Sequence, residues 1–372
     1  MTEIDLAPSP QATAFAVLLE AAATPHQLAP YRGVLTPRQL DAPGLETVAL
    51  ATAAAVHDLG WLRRVAVRGE DRFRWLSGMV TNTVDALADH AGAWNLVLNA
   101  QGRIQGDLTV WRDGDNLELE IAADQYDRLL AHFERFIIMD DVELVPLSGE
   151  AALGLTGPAA DEVLARVGLP VLSQPMTTTR VEWNGMDLRM ARGYGLLAAH
   201  YALWVPEAQL SKLWKFLRTG GAALVGSASF AAFRIAEGIP AYGVDIAERD
   251  LPQETSQTRA LHFSKGCYLG QEIVERIRSR GNVHRHLRQL ELSGPLPTAG
   301  AELTLEGGAA AGHITSAAQL PLPTGTRIFA LGMIRGEAEL RNQTLNYSAG
   351  SVPGTARILA EPPSFQNGST KS

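Results

Sequence analysis

Apolar positions along this chain change period in a repeating order. Leu62–Val67 alternates as a strand, and Gly69-Glu70-Asp71 opens a helix in which Phe73, Leu76 and Val80 fall at helical spacing. Trp94–Leu98 and Ile104–Trp111 read as strands joined across Gln101-Gly102, and Asp113-Gly114 turns into a third strand, Leu117–Ala122. A helix over Asp124–Phe136 carries Leu129, Leu130, Phe133 and Phe136 on one face, and Val142–Val145 closes the segment as a strand.

The same order recurs downstream. Ala152–Leu155 is a strand, and Gly157-Pro158 starts a helix that runs to Val167. Val181–Trp183 and Met186–Met190 flank Asn184-Gly185, a strong hairpin signal. Leu196–Val205, Glu207–Thr219 and Ala222–Val225 read as strand, helix and strand, and Ser227 can cap a last helix, Phe230–Glu237. Two consecutive segments therefore read strand, helix, hairpin, strand, helix, strand, which predicts two related α+β units. Residues 1–45 carry several prolines and little periodicity; a short helix over Ala12–Ala23 is expected, with the rest an arm around the body. After Gly281, short apolar stretches alternate with turn sequences such as Ser293-Gly294-Pro295 and Pro323-Thr324-Gly325, which predicts a small β-barrel. The expected division is an arm (1–45), a first α+β unit (46–150), a second (151–282), a barrel (283–361) and a disordered tail (362–372).

Length and composition narrow the class. With 372 residues and 46% hydrophobic content the chain buries several cores, and a net charge of −8 from 32 basic and 40 acidic residues argues against a general nucleic-acid or acidic-membrane binder. A single cysteine fits a reducing compartment, the first Arg or Lys is Arg32, and no apolar run approaches the length of a membrane span; a soluble cytoplasmic protein is expected.

Candidate chemistry concentrates in the second half. Cys267, the only cysteine, lies in Lys265-Gly266-Cys267-Tyr268-Leu269-Gly270-Gln271-Glu272. It forms no internal disulfide, and a lysine two residues upstream can raise its thiolate fraction. A reactive or ligating thiol and a buried structural cysteine in a turn both fit the spacing. Glu237 ends a helix, where the dipole disfavours an acid, so it either points to solvent or accepts a pair of ligand N–H donors. In Asn99-Ala100-Gln101-Gly102-Arg103-Ile104-Gln105-Gly106-Asp107, the strand aspartate Asp107 either orients a ligand or sits on a solvated face. Arg276, Arg278, Arg280, Arg285 and Arg288 with His284 and His286 form a basic run, read either as a solvated strand edge or as an anion site for a carboxylate, a polyglutamate tail or an RNA phosphate. His284 and His286 share one face of a strand, but one cysteine and no third ligand in view do not make a closed zinc site. Walker A, His-Glu-x-x-His, Gly-x-Ser-x-Gly and dinucleotide fingerprints are absent from the sequence.

The string Lys265–Glu272, with Arg280-Gly281 and Arg285-His286-Leu287, resembles the signature of the YgfZ family of folate-binding proteins, relatives of the glycine-cleavage T-protein (aminomethyltransferase). Arg234-x-x-Glu237-Gly238-Ile239-Pro240-x-Tyr242-Gly243, Leu251-Pro252-Gln253-Glu254, Val67-x-Gly69-x-Asp71-x-Phe73-x-x-Leu76 and Thr81-Asn82 resemble segments shared with the T-protein. Gly312-x-Ile314-Thr315-Ser316 and Ala330-Leu331-Gly332-x-Ile334-Arg335 resemble its C-terminal barrel. The likeness implies a T-protein-like three-lobed α+β ring with a C-terminal β-barrel and a central hole that admits tetrahydrofolate. By position it implies Glu237 at the pterin edge and Asp107 near the folate chemistry, with Asn99, Tyr242 and Arg335 as further folate-binding residues. Cys267, Asp107 and Lys265 are the implied catalytic group, Cys267 being the working thiol, either a transient iron–sulfur ligand or a redox partner. Gly106 stands where T-proteins carry the first of two acids, and the cysteine motif stands where they carry arginines. Both departures favour an accessory factor for assembly or repair of iron–sulfur proteins, with iron–sulfur carriers or clients as partners. The alternatives are a tetrahydrofolate-dependent aminomethyltransferase or demethylase, and a docking scaffold without folate.

Overall fold

The computed structural model describes residues 10–365 apart from 282 and 342–343. The N-terminal segment is more structured than its prolines suggest. Thr13 caps α1 (Ala14–Ala21), and a hairpin of β1 (Gln27–Tyr31) and β2 (Val34–Gln39) turns at Arg32-Gly33, where φ is 50° and 89°. The prolines at 30 and 37 are tolerated because the ribbon has only two strands, both of them edges. Then come α2 (Pro43–Thr52), with proline at its first position, and β3 (Ala55–Asp58).

The first unit comprises β4 (Leu62–Arg68), α3 (Arg72–Met79), β5 (Gly92–Leu98), β6 (Ile104–Asp113), β7 (Asn116–Ala122), α4 (Ala123–Glu134) and β8 (Glu143–Leu147). The second comprises β9 (Glu150–Gly157), α5 (Ala160–Arg166), β10 (Thr177–Trp183), β11 (Met186–Arg192), β12 (Ala199–Pro206), α6 (Leu210–Thr219), β13 (Ala223–Leu224) and α7 (Ser227–Ala236). The first sheet has the order β5-β6-β7-β4-β8 and the second β10-β11-β12-β9-β3-β13. The two are one topology: hairpin, third strand, first strand, last strand. In the second sheet β3 is inserted before the last strand. A division at residue 151 therefore does not follow the sheets, because β3 crosses it to pair with β9. Four characters of hydropathy, Ala-Val-His-Asp, carry too little periodicity to announce that strand.

Other boundaries shift for local reasons. Gly226, not Ser227, caps α7, because a Cβ there would lie 2.1 Å from the Arg38 carbonyl oxygen; the Ser227 hydroxyl instead accepts from Thr36. β12 begins at Ala199 rather than Leu196, and α5 at Ala160, after Gly157 ends β9. The basic run is not one strand: Arg276 and Arg278 belong to a helix, α8 (Gln271–Arg280).

β14 (Arg285–Ser293), β15 (Glu302–Thr304), β16 (Ala310–Leu322), β17 (Gly325–Arg335), α9 (Gly336–Leu340), β18 (Leu345–Ala349) and β19 (Val352–Ile358) make the third lobe. Its strands close a barrel in the order β14-β17-β16-β15-β18-β19. Each lobe has its own apolar core, and a central cluster joins all three: Leu96, Leu98 and Ile104 meet Phe233 and Ile246, and these meet Leu287, Phe329 and Met333. Phe365 belongs to it, with ring centroids 6.0 Å from both Phe233 and Phe329. The expected disordered tail is thus packed at its start, since a phenylalanine there removes apolar area from water; residues 366–372 lie outside the described residues. Between the two sheets Arg64 pairs with Glu118 and Glu150, and Arg189 with Glu118 at 2.7 Å. No helix among the described residues is long and apolar enough to cross a membrane.

Candidate functional site

Strand alternation selects the first acid. Along β6, Ile104, Gly106, Leu108 and Val110 are buried, while Gln105, Asp107 and Thr109 face the other way. Asp107 and Thr109 line a cavity of about 260 Å³ between the two units. Both Asp107 oxygens are held: Oδ2 accepts the Trp94 indole N–H at 3.0 Å, and Oδ1 accepts the Gln125 amide at 2.8 Å. The Gln125 carbonyl in turn accepts the Asp107 backbone N–H at 2.9 Å. Gly106 is what makes this lock fit, because a Cβ there would lie 2.7 Å from Gln125 Oε1 and 2.9 Å from Leu129. A second acid at 106 would face the core and displace Gln125 rather than join Asp107 in the cavity.

Glu237 stands on the other wall. It is the C-cap of α7, and Gly238, at φ 70°, turns the chain away behind it. The expectation of a solvated glutamate is wrong: Glu237 is 0% exposed. Its Oε1 accepts the Leu197 N–H at 3.1 Å and its Oε2 accepts His200 Nε2 at 2.7 Å. These two donors offset the unfavourable helix end. Arg234, one turn earlier, is committed elsewhere, to Asp245 at 2.6 Å, and Asp245 accepts the Thr315 and Ser316 hydroxyls of the barrel. That chain of contacts fixes the end of α7 against the third lobe.

Further groups line or approach the same cavity. Glu120, two pairs along from Trp111 on β7, is pushed upward by burial, and its Oε2 has no partner among the described residues. The tip of the β1–β2 hairpin contributes Tyr31 and Arg32; Arg32 donates to the Tyr242 carbonyl at 2.7 Å and lies 5.9 Å over Trp61. Tyr194 and Trp94 hold the Arg259 guanidinium between them, at 3.8 and 4.9 Å. Burial pulls Arg259 down to about 10, while Tyr194, Glu237 and Asp107 hold it up. None of Glu120, Arg259, Gln125 and His200 is marked by sequence pattern, although glycine inside a strand at 106 and 154 is the local sign of a close approach.

The cysteine motif forms a separate structure. Cys267 is exposed, which removes the buried-turn reading. Lys265 does not serve the thiol as expected: its ammonium donates to the carbonyls of Ser77, Val80 and Asn82, each at 2.7 Å. Burial pulls it down to about 8, and Asp85 holds it up. Tyr268 is buried in the central cluster, and burial pushes its hydroxyl to about 12. Gly270, at φ 83°, caps α8, and a Cβ on it would lie 2.5 Å from the Asn99 carbonyl oxygen. Gln271 accepts the Tyr268 N–H at 3.3 Å, while Glu272 is exposed and pairs with Arg276. Gly266 has open space around it. The one group of His, Cys and carboxylate side chains close enough to share a metal, among the described residues, is the exposed Asp89, His90 and Asp113, and it excludes Cys267.

Three expected folate contacts are placed elsewhere. The Asn99 side chain accepts the N–H groups of Gln101 and Arg103 at 3.0 Å and so closes the β5–β6 turn. Tyr242 is buried behind the cavity with Arg128 5.0 Å over its ring. Arg335 ends β17 and lines a groove of about 1150 Å³ between α8, β14 and α9. That groove is larger than the cavity, but its basic groups are largely paired: Arg285 with Asp250 and Glu254, His286 with Glu339. Acids that converge from both units, Glu120 among them with an unpartnered oxygen, distinguish the cavity instead.

Comparisons with known proteins agree with this architecture. The profile of the GCVT N-terminal domain family matches residues 25–265. An aminomethyltransferase of Rubrobacter xylanophilus is 26% identical over 322 residues, 84% of each chain. A tRNA-modifying protein YgfZ of Yersinia pseudotuberculosis is 27% identical over 244 residues, 64% of this chain and 72% of that one. A putative chloroplastic transferase of Arabidopsis thaliana is 23% identical over 331 residues, 86% of this chain and 75% of that one. The crystal structure of the glycine cleavage system aminomethyltransferase T from Bartonella henselae superposes with a TM-score of 0.85 at 19% identity, covering 96% of this chain and 100% of that one. With a family match running through both α+β units into the cysteine motif, and with the same three-lobed fold, the chain belongs to the GCVT N-terminal domain family, among relatives that include YgfZ proteins and aminomethyltransferases.

Proposed function

We propose that the protein binds tetrahydrofolate in the cavity between Asp107 and Glu237. One observation carries this reading: two carboxylates from different units line one cavity, each held in place by protein donors. A pterin presents a ring N–H beside an amino group, which a fixed carboxylate accepts as a pair. We further propose a YgfZ-type role, in which the folate-loaded protein supports assembly or repair of iron–sulfur proteins and the exposed Cys267 is the working thiol. Since the thiol belongs to no group of three or more ligating side chains among the described residues, a cluster on it would take ligands from a carrier or client protein. An aminomethyltransferase role is the second reading, supported by the relative that covers 84% of the chain. Gly106 and the Gln125 lock favour the first, because they leave no acid next to Asp107 at position 106 of that strand. Some relatives are named as tRNA-modifying; for this chain we read tRNA as reached through a client, since Arg276, Arg278, Arg285 and Arg288 are all paired with acids.

Calorimetric titration with tetrahydrofolate tests the ligand. Saturable binding is expected, with Glu237→Ala weakening it about 100-fold, the worth of a charge-assisted hydrogen-bond pair. Absence of binding to the unmodified protein would sink the folate reading and leave a docking scaffold.

A further inference from the structure

Behind Glu237 a hydrogen-bonded line runs away from the cavity. His200 Nε2 meets Glu237 at 2.7 Å, His200 Nδ1 meets the Thr156 hydroxyl at 3.0 Å, and that hydroxyl meets His57 Nε2 at 3.0 Å. The line spans three adjacent strands, with His200 directly opposite Thr156 across the β12–β9 pair and His57 on β3. Both imidazoles are accommodated by missing side chains. A Cβ on Gly154 would lie 2.0 Å from His57 Cε1, and one on Gly195 would lie 2.4 Å from His200 Cδ2. Phe230 stacks on His57 with centroids 3.9 Å apart.

We infer that His200 is a positioning residue of the cavity: Thr156 and His57 hold it in one tautomer, and it keeps Glu237 an acceptor-only carboxylate that selects a ligand edge with two adjacent N–H donors. The inference rests on the folate reading for its ligand, though not for its geometry. An ionised Glu237 has only lone pairs to offer, so His200 carries its proton on Nε2. A neutral His200 then has a bare Nδ1, and the single Thr156 hydroxyl proton goes to it. The Thr156 oxygen accepts the Nε2–H of His57. Every proton has an acceptor, and only the lone pair of His57 Nδ1 is left without a partner among the described residues. Burial, with His200 close by, pulls His57 down to about 3, which keeps that ring neutral.

The reverse polarity is costlier. A donor at His200 Nδ1 makes Thr156 the acceptor, and the Thr156 proton then either is left without an acceptor or turns to His57 and drives that ring's proton to Nδ1, which meets no acceptor in hydrogen-bond geometry among the described residues. The Nε2–H form of His200 is the one that pairs every proton of the line. The other groups facing this region are Asp107, Glu120, Arg32 and Arg234 around the cavity, with Arg259 beside Tyr194. None of them donates to or accepts from the His200 ring.

Thr156→Val cuts the line while keeping shape, and Thr156→Ser restores it. Nitrogen-15 spectra of imidazole-labelled protein, with His200→Gln for assignment, need no ligand. At about pH 7.5 His200 and His57 are expected with the proton on Nε2 and Nδ1 bare, with the Nδ1–H form of His200 appearing in Thr156→Val. In calorimetry at that pH, Thr156→Ser should bind tetrahydrofolate within about twofold of the unmodified protein, and Thr156→Val about tenfold more weakly as the ring no longer holds Glu237 in one orientation. A proton on His200 Nδ1 in the unmodified protein, or a Thr156→Val affinity equal to that of the unmodified protein, would overturn the inference. If no form binds tetrahydrofolate, the folate reading falls, and the spectra still decide the relay.

Discussion

Glu237 and Cys267 stand at opposite kinds of helix end. Glu237 closes α7 and is wholly buried, with both oxygens taken by protein donors. Cys267 precedes α8 and is exposed, in a stretch where a Cβ added at Gly266 would meet open space. Yet the residues around the cysteine are as firmly held as those around the glutamate: Lys265 is pegged by three carbonyls, Tyr268 sits in the central core, and Gly270 is wedged on the β5–β6 turn. Recognition of an N–H edge requires a carboxylate stripped of water, where its hydrogen bonds are strongest. Transfer to a partner requires an atom that the partner can reach. Under the proposed reading the two needs fall on two rigid footings, one turned inward and one outward.

The most direct way to break this comparison is to loosen the outward footing. Lys265→Met leaves the Ser77, Val80 and Asn82 carbonyls without their shared donor, and unsatisfied buried acceptors cost about 1–3 kcal/mol each. Some of those carbonyls will recover water, so the expected loss of unfolding stability is about 3 kcal/mol, read from denaturant titration. A change below about 0.5 kcal/mol, the usual scatter of surface substitutions, would mean that the lysine is free for the thiol after all. Gly270→Ala comes next. It forces alanine to φ 83° and brings a methyl within 2.5 Å of the Asn99 oxygen, so α8 must shift. A loss of about 2 kcal/mol is expected. Tetrahydrofolate affinity should stay within about twofold, since Asp107 and Glu237 are held by other residues.

These footings show what the sequence made legible. The repeat of strand, helix, hairpin, strand, helix, strand was readable because each element carries its own period, and Asn184-Gly185 announced its turn through two positions that adopt positive φ. Asp107 was readable as an oddity in a strand. Its direction was not, because the cavity face is defined by Gln125 and Trp94 arriving from other elements. The solvated alternative for Glu237 fails for the same reason. The helix-end rule considers one helix, whereas the compensating donors come from Leu197 and His200 on another chain segment. The β1–β2 hairpin was hidden by its prolines, and α8 by its polarity: Ile273, Val274 and Ile277 are the only apolar residues in its ten. Lys265 was noticed for its nearness in sequence to the thiol, but side-chain reach decided its partners.

Cys267→Ser should have the smallest effect on the isolated protein and is the sharpest test of the division of labour. Sulfur to oxygen at an exposed position removes no packing, so stability should move by less than about 0.5 kcal/mol. Tetrahydrofolate affinity should stay within about twofold, because no hydrogen bond to either cavity acid passes through the motif. One thiol per chain should react with a disulfide reagent in the native protein and none in the variant, as the sequence holds a single cysteine. Against this quiet background, the activity of iron–sulfur enzymes in cells carrying Cys267→Ser should fall while the level of the protein is unchanged. If enzyme activity stays full, the thiol has no part in the proposed role, and the folate cavity must account for the function alone. If tetrahydrofolate affinity falls with the substitution, the thiol reaches the ligand, and the separation between an inward recognition site and an outward transfer site collapses into one centre.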